Sequence, residues 1–142
     1  MVNGYGIPPV IYEPFTIFAA TELPTTGREL TAAVPDSNWY LAGIWEMHSA
    51  AGGAGATLKF RKVADNSAAN AAAGANVVEL TGVGGATPFD VTQSVRIWRP
   101  VPLISNTGAR TFRPLNRLVV QSAGTLSPYA DAVIIVKWMR VS

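Results

Sequence analysis

The stretch that most constrains the fold is 132–141, Ala-Val-Ile-Ile-Val-Lys-Trp-Met-Arg-Val. Side chains of a strand alternate between its two faces. One face therefore carries Ile134, Val136, Trp138 and Arg140, and the other Val133, Ile135, Lys137, Met139 and Val141. Both faces are mostly apolar. In a lone two-layer sandwich, one face of each sheet meets water and reads polar. A strand that is apolar on both faces needs cover on both, and another subunit is the simplest second cover. Val133, Ile135, Met139 and Trp138 are accordingly the candidate residues of an oligomer contact.

The rest of the chain reads as short strands between turns. Residues 38–48 form a strong strand candidate. Strict alternation places Trp39, Leu41, Gly43, Trp45 and Met47 on one face, and Tyr40, Ala42, Ile44, Glu46 and His48 on the other. Residues 57–63 follow with Leu58 and Phe60 inward and Lys59 and Arg61 outward, which predicts a hairpin closed by the Gly/Ala loop 49–56. Further strands are expected at 77–81, 89–98 (with a break near Thr92 as the alternative), 109–113 and 117–121, and the low-complexity stretch 64–76 reads as a loop. No segment carries a sustained apolar stripe at helical spacing.

Half of the ten prolines fall within 1–37. Proline lacks an N–H, so this segment is not expected to supply long central strands. It reads as an arm with short strands at about 16–19 and 28–33. The expected architecture is all-β: a single-domain antiparallel β-sandwich over 38–142, jelly-roll-like, behind an extended Pro-rich N-terminal arm over 1–37. The start of the chain lacks the basic and apolar regions of a secretory signal. No run of 18 apolar residues marks a membrane span. The absence of cysteine excludes a disulfide scaffold.

Composition points to assembly. Ala, Val, Ile, Leu, Met, Phe, Trp and Gly make up 78 of 142 residues, and charged residues only 14%. The usual charged share is about 25%, so little polar surface is available to keep a free monomer dispersed. Charge is also uneven. Residues 1–90 carry a net −4 and residues 91–142 a net +6. Arg96, Arg99, Arg110, Arg113 and Arg117 fall in a stretch without a single acid, between Asp90 and Asp131. They are the candidate residues for docking on an acidic protein surface. Their aromatic neighbours Trp98 and Phe112 leave nucleic acid as the weaker reading.

Motifs for chemistry are sparse. His48 is the only histidine, and Glu46 shares its strand face. A metal site needs three or four ligands, so His48 reads as a surface residue at a strand end. No Gly-x-Ser-x-Gly elbow supports a serine triad. The nine acids are scattered and mostly beside turns, so they read as solvated rather than as a glycosidase pair. The Gly-rich stretches 52–55 and 82–85 lack the Lys-Ser/Thr of a phosphate loop and read as hairpin loops. Tryptophans and tyrosines can form a sugar-stacking platform, although Trp in strands belongs more often to a core. No catalytic residue, metal or cofactor is assigned.

Four segments carry a resemblance: Ala56-Thr-Leu-Lys-Phe-Arg-Lys-Val63, Arg117-Leu118, Gly124-Thr125-Leu126 and Ala132-Val-Ile-Ile-Val-Lys-Trp138. In this layout, over about 38–141, the chain resembles small all-β structural proteins of tailed bacteriophages. The resemblance implies a virion protein made in the host cytoplasm. The expected role is a head decoration (cement) protein on the capsid surface, forming a homotrimer or other small oligomer and binding the major capsid protein. It implies no active site. Related sandwiches in tail fibres leave a host-surface, carbohydrate-binding module as the alternative.

Overall fold

The computed structural model describes residues 9–30, 38–64 and 77–141. These residues form ten strands: β1 Val10–Ala19, β2 Arg28–Glu29, β3 Trp39–Ala50, β4 Thr57–Val63, β5 Val77–Glu79, β6 Phe89–Asp90, β7 Arg99–Pro100, β8 Thr111–Phe112, β9 Arg117–Ala123 and β10 Ala130–Arg140. A 3-10 turn at Ala20–Glu22 follows β1, and no α-helix occurs among the described residues. The strands make two five-stranded antiparallel sheets. The first runs β1-β10-β3-β7, with β8 also on β3; the second runs β2-β9-β4-β5, with β6 also on β4. The all-β expectation holds, and the arrangement is sandwich-like.

The doubly apolar strand β10 is central, between β1 and β3. Ala132, Ile134, Val136 and Trp138 point inward and are buried. They meet Leu58 and Phe60 of β4 and Leu118 and Val120 of β9 in one apolar cluster shared by both sheets. Removing each large side chain from water is worth about 1.5–3 kcal/mol. The Trp138 ring stands edge-on to Phe112 at 5.0 Å, and its Nε1–H donates to Glu13 Oε1 at 2.7 Å. That bond lets the indole sit in the core with its one polar atom satisfied.

Strict alternation fails in β3. Lys137 pairs with Gly43 and Trp138 with Leu41, so Ala42 is an extra residue, a β-bulge. Beyond it the faces exchange. Leu41 points inward, and so do Ile44, Glu46 and His48, while Trp45 and Met47 turn outward. Gly43 accommodates the Trp45 ring; a Cβ there would lie 2.7 Å from its nearest carbon. Arg110 holds the bulge, donating from Nε to Leu41 O and from Nη2 to Ala42 O, both at 2.9 Å.

The expected hairpin of β3 with β4 is not formed. The two strands lie in different sheets, and the 51–56 link crosses between them. The same is true of β9 and β10, whose link is 124–129. The two crossings fasten to each other: Gly53 N–H donates to Thr125 O at 2.8 Å, and Thr125 N–H to Ala54 O at 3.0 Å. Glycine is required where they touch, because a Cβ on Gly53 would lie 2.7 Å from Ser127 O. Gly52–Gly55 is therefore a sheet-to-sheet corner, not a hairpin loop.

Other boundaries differ in both directions. Residues 89–98 were expected as a strand with a break at about Thr92 as the alternative; only Phe89–Asp90 pairs before the chain turns. Ser94 and Arg96 adopt positive φ of 63° and 57°, which a strand cannot contain. The strand expected from about residue 16 instead begins at Val10 and runs through Pro14. Proline is tolerated there because β1 is an edge strand.

Candidate functional site

The outer face of the first sheet is built from four cross-strand rungs. The pairing sets Thr16, Val133 and Met47 side by side, then Pro14, Ile135 and Trp45, then Tyr12, Lys137 and Gly43, then Val10, Met139 and Tyr40. Lys137 is the single charge on these rungs, and its Nζ lies 5.6 Å from the centre of the Tyr12 ring. Val133, Ile135 and Met139 are half-buried, and Tyr12 is 57% exposed. Phe18, next in the outward series of β1, is 68% exposed. Trp138, the fourth residue of the expected oligomer contact, lies on the opposite face in the core, 2% exposed.

The free edge beside this face is guarded. Arg140 N–H donates to Pro9 O, which sets the phase of the β1–β10 ladder. Residues 11, 13, 15 and 17 then bond to β10, and residues 10, 12, 14, 16 and 18 turn their backbone groups to the open edge. Pro14 has no N–H to offer there. Glu22 Oε2 accepts from the N–H groups of Phe18 (3.0 Å) and Ala19 (3.1 Å), covering the end of the row. An edge so interrupted is a poor template for a further strand.

The five candidate docking arginines do not make one surface. Arg96 is exposed, and its backbone N–H donates to His48 O at 2.7 Å. Arg99 is half-buried; it donates to Asp90 O at 2.9 Å, reaches Glu46 Oε1 at 3.4 Å and stacks 4.3 Å from the Phe89 ring centre. Arg110 is occupied by the bulge and lies 5.0 Å from the centre of the Tyr40 ring. Arg113 is exposed beside Lys62, and Arg117 is half-buried opposite Val63. Arg61, expected outward, is 5% exposed and ion-paired to Glu79 at 2.5 Å.

Glu46 and His48 do come together, but inside the protein. Both are 0% exposed, which corrects the reading of His48 as a surface residue and of Glu46 as solvated. His48 Nδ1 lies 2.7 Å from Glu46 Oε2, and Nε2 lies 2.6 Å from Gln93 O. A backbone carbonyl only accepts, so Nε2 carries a proton. Tyr129 O–H donates to Glu46 Oε2 at 2.8 Å. Burial, then the charge and hydrogen bond of Glu46, push the Tyr129 phenol far above its ordinary range. With every partner engaged and no surface open to solvent, the cluster acts as a clamp. It ties the 91–98 loop to β3 through Gln93 and Arg96. Its signal in the sequence was the i, i+2 spacing of Glu46 and His48 beyond Ile44.

Among the described residues, no three His, Asp or Glu side chains converge to hold a metal ion. No helix there is long and apolar enough to cross a membrane. No family model matches the chain, and comparisons with curated proteins and with solved structures give no match.

Proposed function

We propose that the chain is a structural virion protein of a tailed bacteriophage, a capsid decoration (cement) protein. In this reading it has a jelly-roll-like sandwich with 1–37 as its arm. It forms a homotrimer through the outer face of the first sheet and binds the major capsid protein on the capsid surface. The observation that carries the reading is the outer face itself: four rungs with one charge, on a chain in which charge is scarce. Covering the remaining exposed surface of Tyr12, Trp45, Ile135 and Met139 is worth roughly 1 kcal/mol each. The guarded β1 edge favours contact through this face over contact by strand addition. Arg96 and Arg113, the exposed members of the arginine set, are the docking residues that remain available for an acidic shell.

The test is solution mass by light scattering of the purified chain, with Ile135→Glu alongside. Ile135 points away from the core, so a charge there leaves the fold in place and opposes contact between subunits. The expected result is a trimer that falls to monomer in the variant. A monomer for the unaltered chain at tens of micromolar defeats assembly through this face.

A second reading, a tail-fibre module that binds host-surface carbohydrate, is favoured by Ile97 and Trp98, which are 55% and 47% exposed. They lie at the end of the clamped 91–98 loop and present an apolar surface to solvent. A change in tryptophan fluorescence with a glycan, lost in Trp98→Ala, supports that reading over decoration.

A further inference from the structure

The second sheet ends beside a pocket of about 460 Å³ whose walls include Lys62, Val78, Thr111, Arg113 and Asn116. Two cations share it. Among the described residues, neither Lys62 nor Arg113 has a carboxylate within ion-pair distance. Lys62 is held firmly. Its Nζ donates to Thr111 O at 3.0 Å and to Gly108 O at 3.2 Å, and lies 5.6 Å from the centre of the Phe112 ring. An ammonium has three N–H groups, so one is left over. Burial, and then the Arg113 charge, hold Lys62 below the usual lysine range.

The carbonyls of Gly108 and Thr111 take Lys62, and the Thr111 hydroxyl commits its proton to Thr107 O at 2.8 Å, which leaves its oxygen as an acceptor. Asn116 Oδ1 accepts from Arg113 N–H at 2.9 Å, which leaves the Asn116 amide N–H groups as donors. The N–H groups of the wall come from an ammonium, a guanidinium and a carboxamide, against one hydroxyl acceptor at Thr111. Two like charges in a partly desolvated pocket disfavour each other, and an anion between them reverses that term. Arg113 is suited to two-point contact with a planar or tetrahedral oxyanion, with Lys62 as the fixed point charge.

We propose that this pocket is a binding site for one oxyanion, a phosphate or a carboxylate. The site shares Arg113 with the docking set of the virion reading but does not depend on it, and is testable on the purified chain alone. Inorganic phosphate and glutarate are titrated separately by calorimetry at constant ionic strength, into the unaltered chain, Arg113→Gln and Arg140→Gln. Arg140 is exposed at the end of β10 and lies outside the pocket. The expected result is saturable binding of one anion per chain, weakened about tenfold or more by Arg113→Gln and unchanged by Arg140→Gln. Tighter phosphate marks a phosphate site, and tighter glutarate a seat for a carboxylate side chain. Nuclear magnetic resonance of the Lys62 ammonium supplies a second readout: its titration moves to higher pH when the anion is bound. No saturable binding of either anion, or equal weakening by both variants, overturns the proposal.

Discussion

Replacing Glu46 by alanine tests the buried clamp most directly. The Glu46 carboxyl lies 2.7 Å from His48 Nδ1, accepts from Tyr129 O–H at 2.8 Å, and has Arg99 Nη2 at 3.4 Å. Truncation leaves two fully buried polar groups, on His48 and Tyr129, without a partner, at about 1–3 kcal/mol each. The emptied volume adds to that, and the total comes to about 3–5 kcal/mol, the usual loss when one member of a buried charged cluster is removed. At roughly 3 °C per kcal/mol for a chain of this size, the melting temperature falls by roughly 10–15 °C. Glu46→Gln keeps the shape and one acceptor, so its loss is about half as large. Calorimetric melting at fixed protein concentration reads both values. Hydrogen exchange reads the local consequence, since Arg96 N–H donates to His48 O and loses protection when the clamp opens. A loss below about 1 kcal/mol in Glu46→Ala, with Arg96 still protected, refutes the reasoning.

Two further outcomes follow from geometry already described. The double substitution Pro14→Thr with Glu22→Ala restores one edge donor and uncovers another, Phe18 N–H, so the chain self-associates through β1 at concentrations where Pro14→Thr alone does not; sedimentation measures this. The lowered folded-state value of Lys62 fixes a sign. Below it both states are protonated and the charged form is penalised in the fold, so stability rises as pH climbs through that value toward the ordinary 10.5. Tyr129, raised in the fold, acts oppositely once the unfolded chain's tyrosine ionises near 10. The Lys62 contribution is therefore read as the difference between the unaltered chain and Lys62→Met in denaturant titrations between pH 8 and about 10; an identical pH profile in the two refutes it.

Much of the architecture was legible in the sequence, for a simple reason. Residues 57–61 alternate polar and apolar, and β4 has the expected bounds 57–63, although Arg61 is buried. The doubly apolar run 132–141 reads as a strand covered on both faces; β10 is central, and its Ala132, Ile134, Val136 and Trp138 face is the one buried within the chain. Connectivity was not legible in the same way. A Gly/Ala link suits a tight turn and a sheet-to-sheet corner equally, and only the approach of 124–129 to 51–56 selects the corner. The bulge at Ala42 was hidden because alternation is a local rule, and its anchor, Arg110, lies 68 residues away. That one extra residue then moved Trp45 and Met47 outward. Glu46 and His48 were misplaced because polarity reads as exposure unless the partners are known, and Tyr129 lies 83 residues from Glu46. The arginines were read as a set by their shared freedom from acids along the chain, whereas carbonyls and stacked rings occupy Arg99 and Arg110.

The strand order also dictates a schedule. Among the described residues the one neighbour of β1 is β10, so the ladder of β1 is completed only by a strand made about 110 residues later. At synthesis rates of about 5–20 residues per second, the intervening segment takes roughly 6–20 s to emerge. Throughout that interval Ile17, Phe15 and Phe18 have no sheet to join, and β3 lacks its principal partner. Neither sheet-to-sheet corner can fasten until both are made. Folding of this chain is thus a late, all-at-once event governed by contacts distant in sequence, which makes it slow and leaves its apolar strands open to capture by chaperones or by other nascent copies.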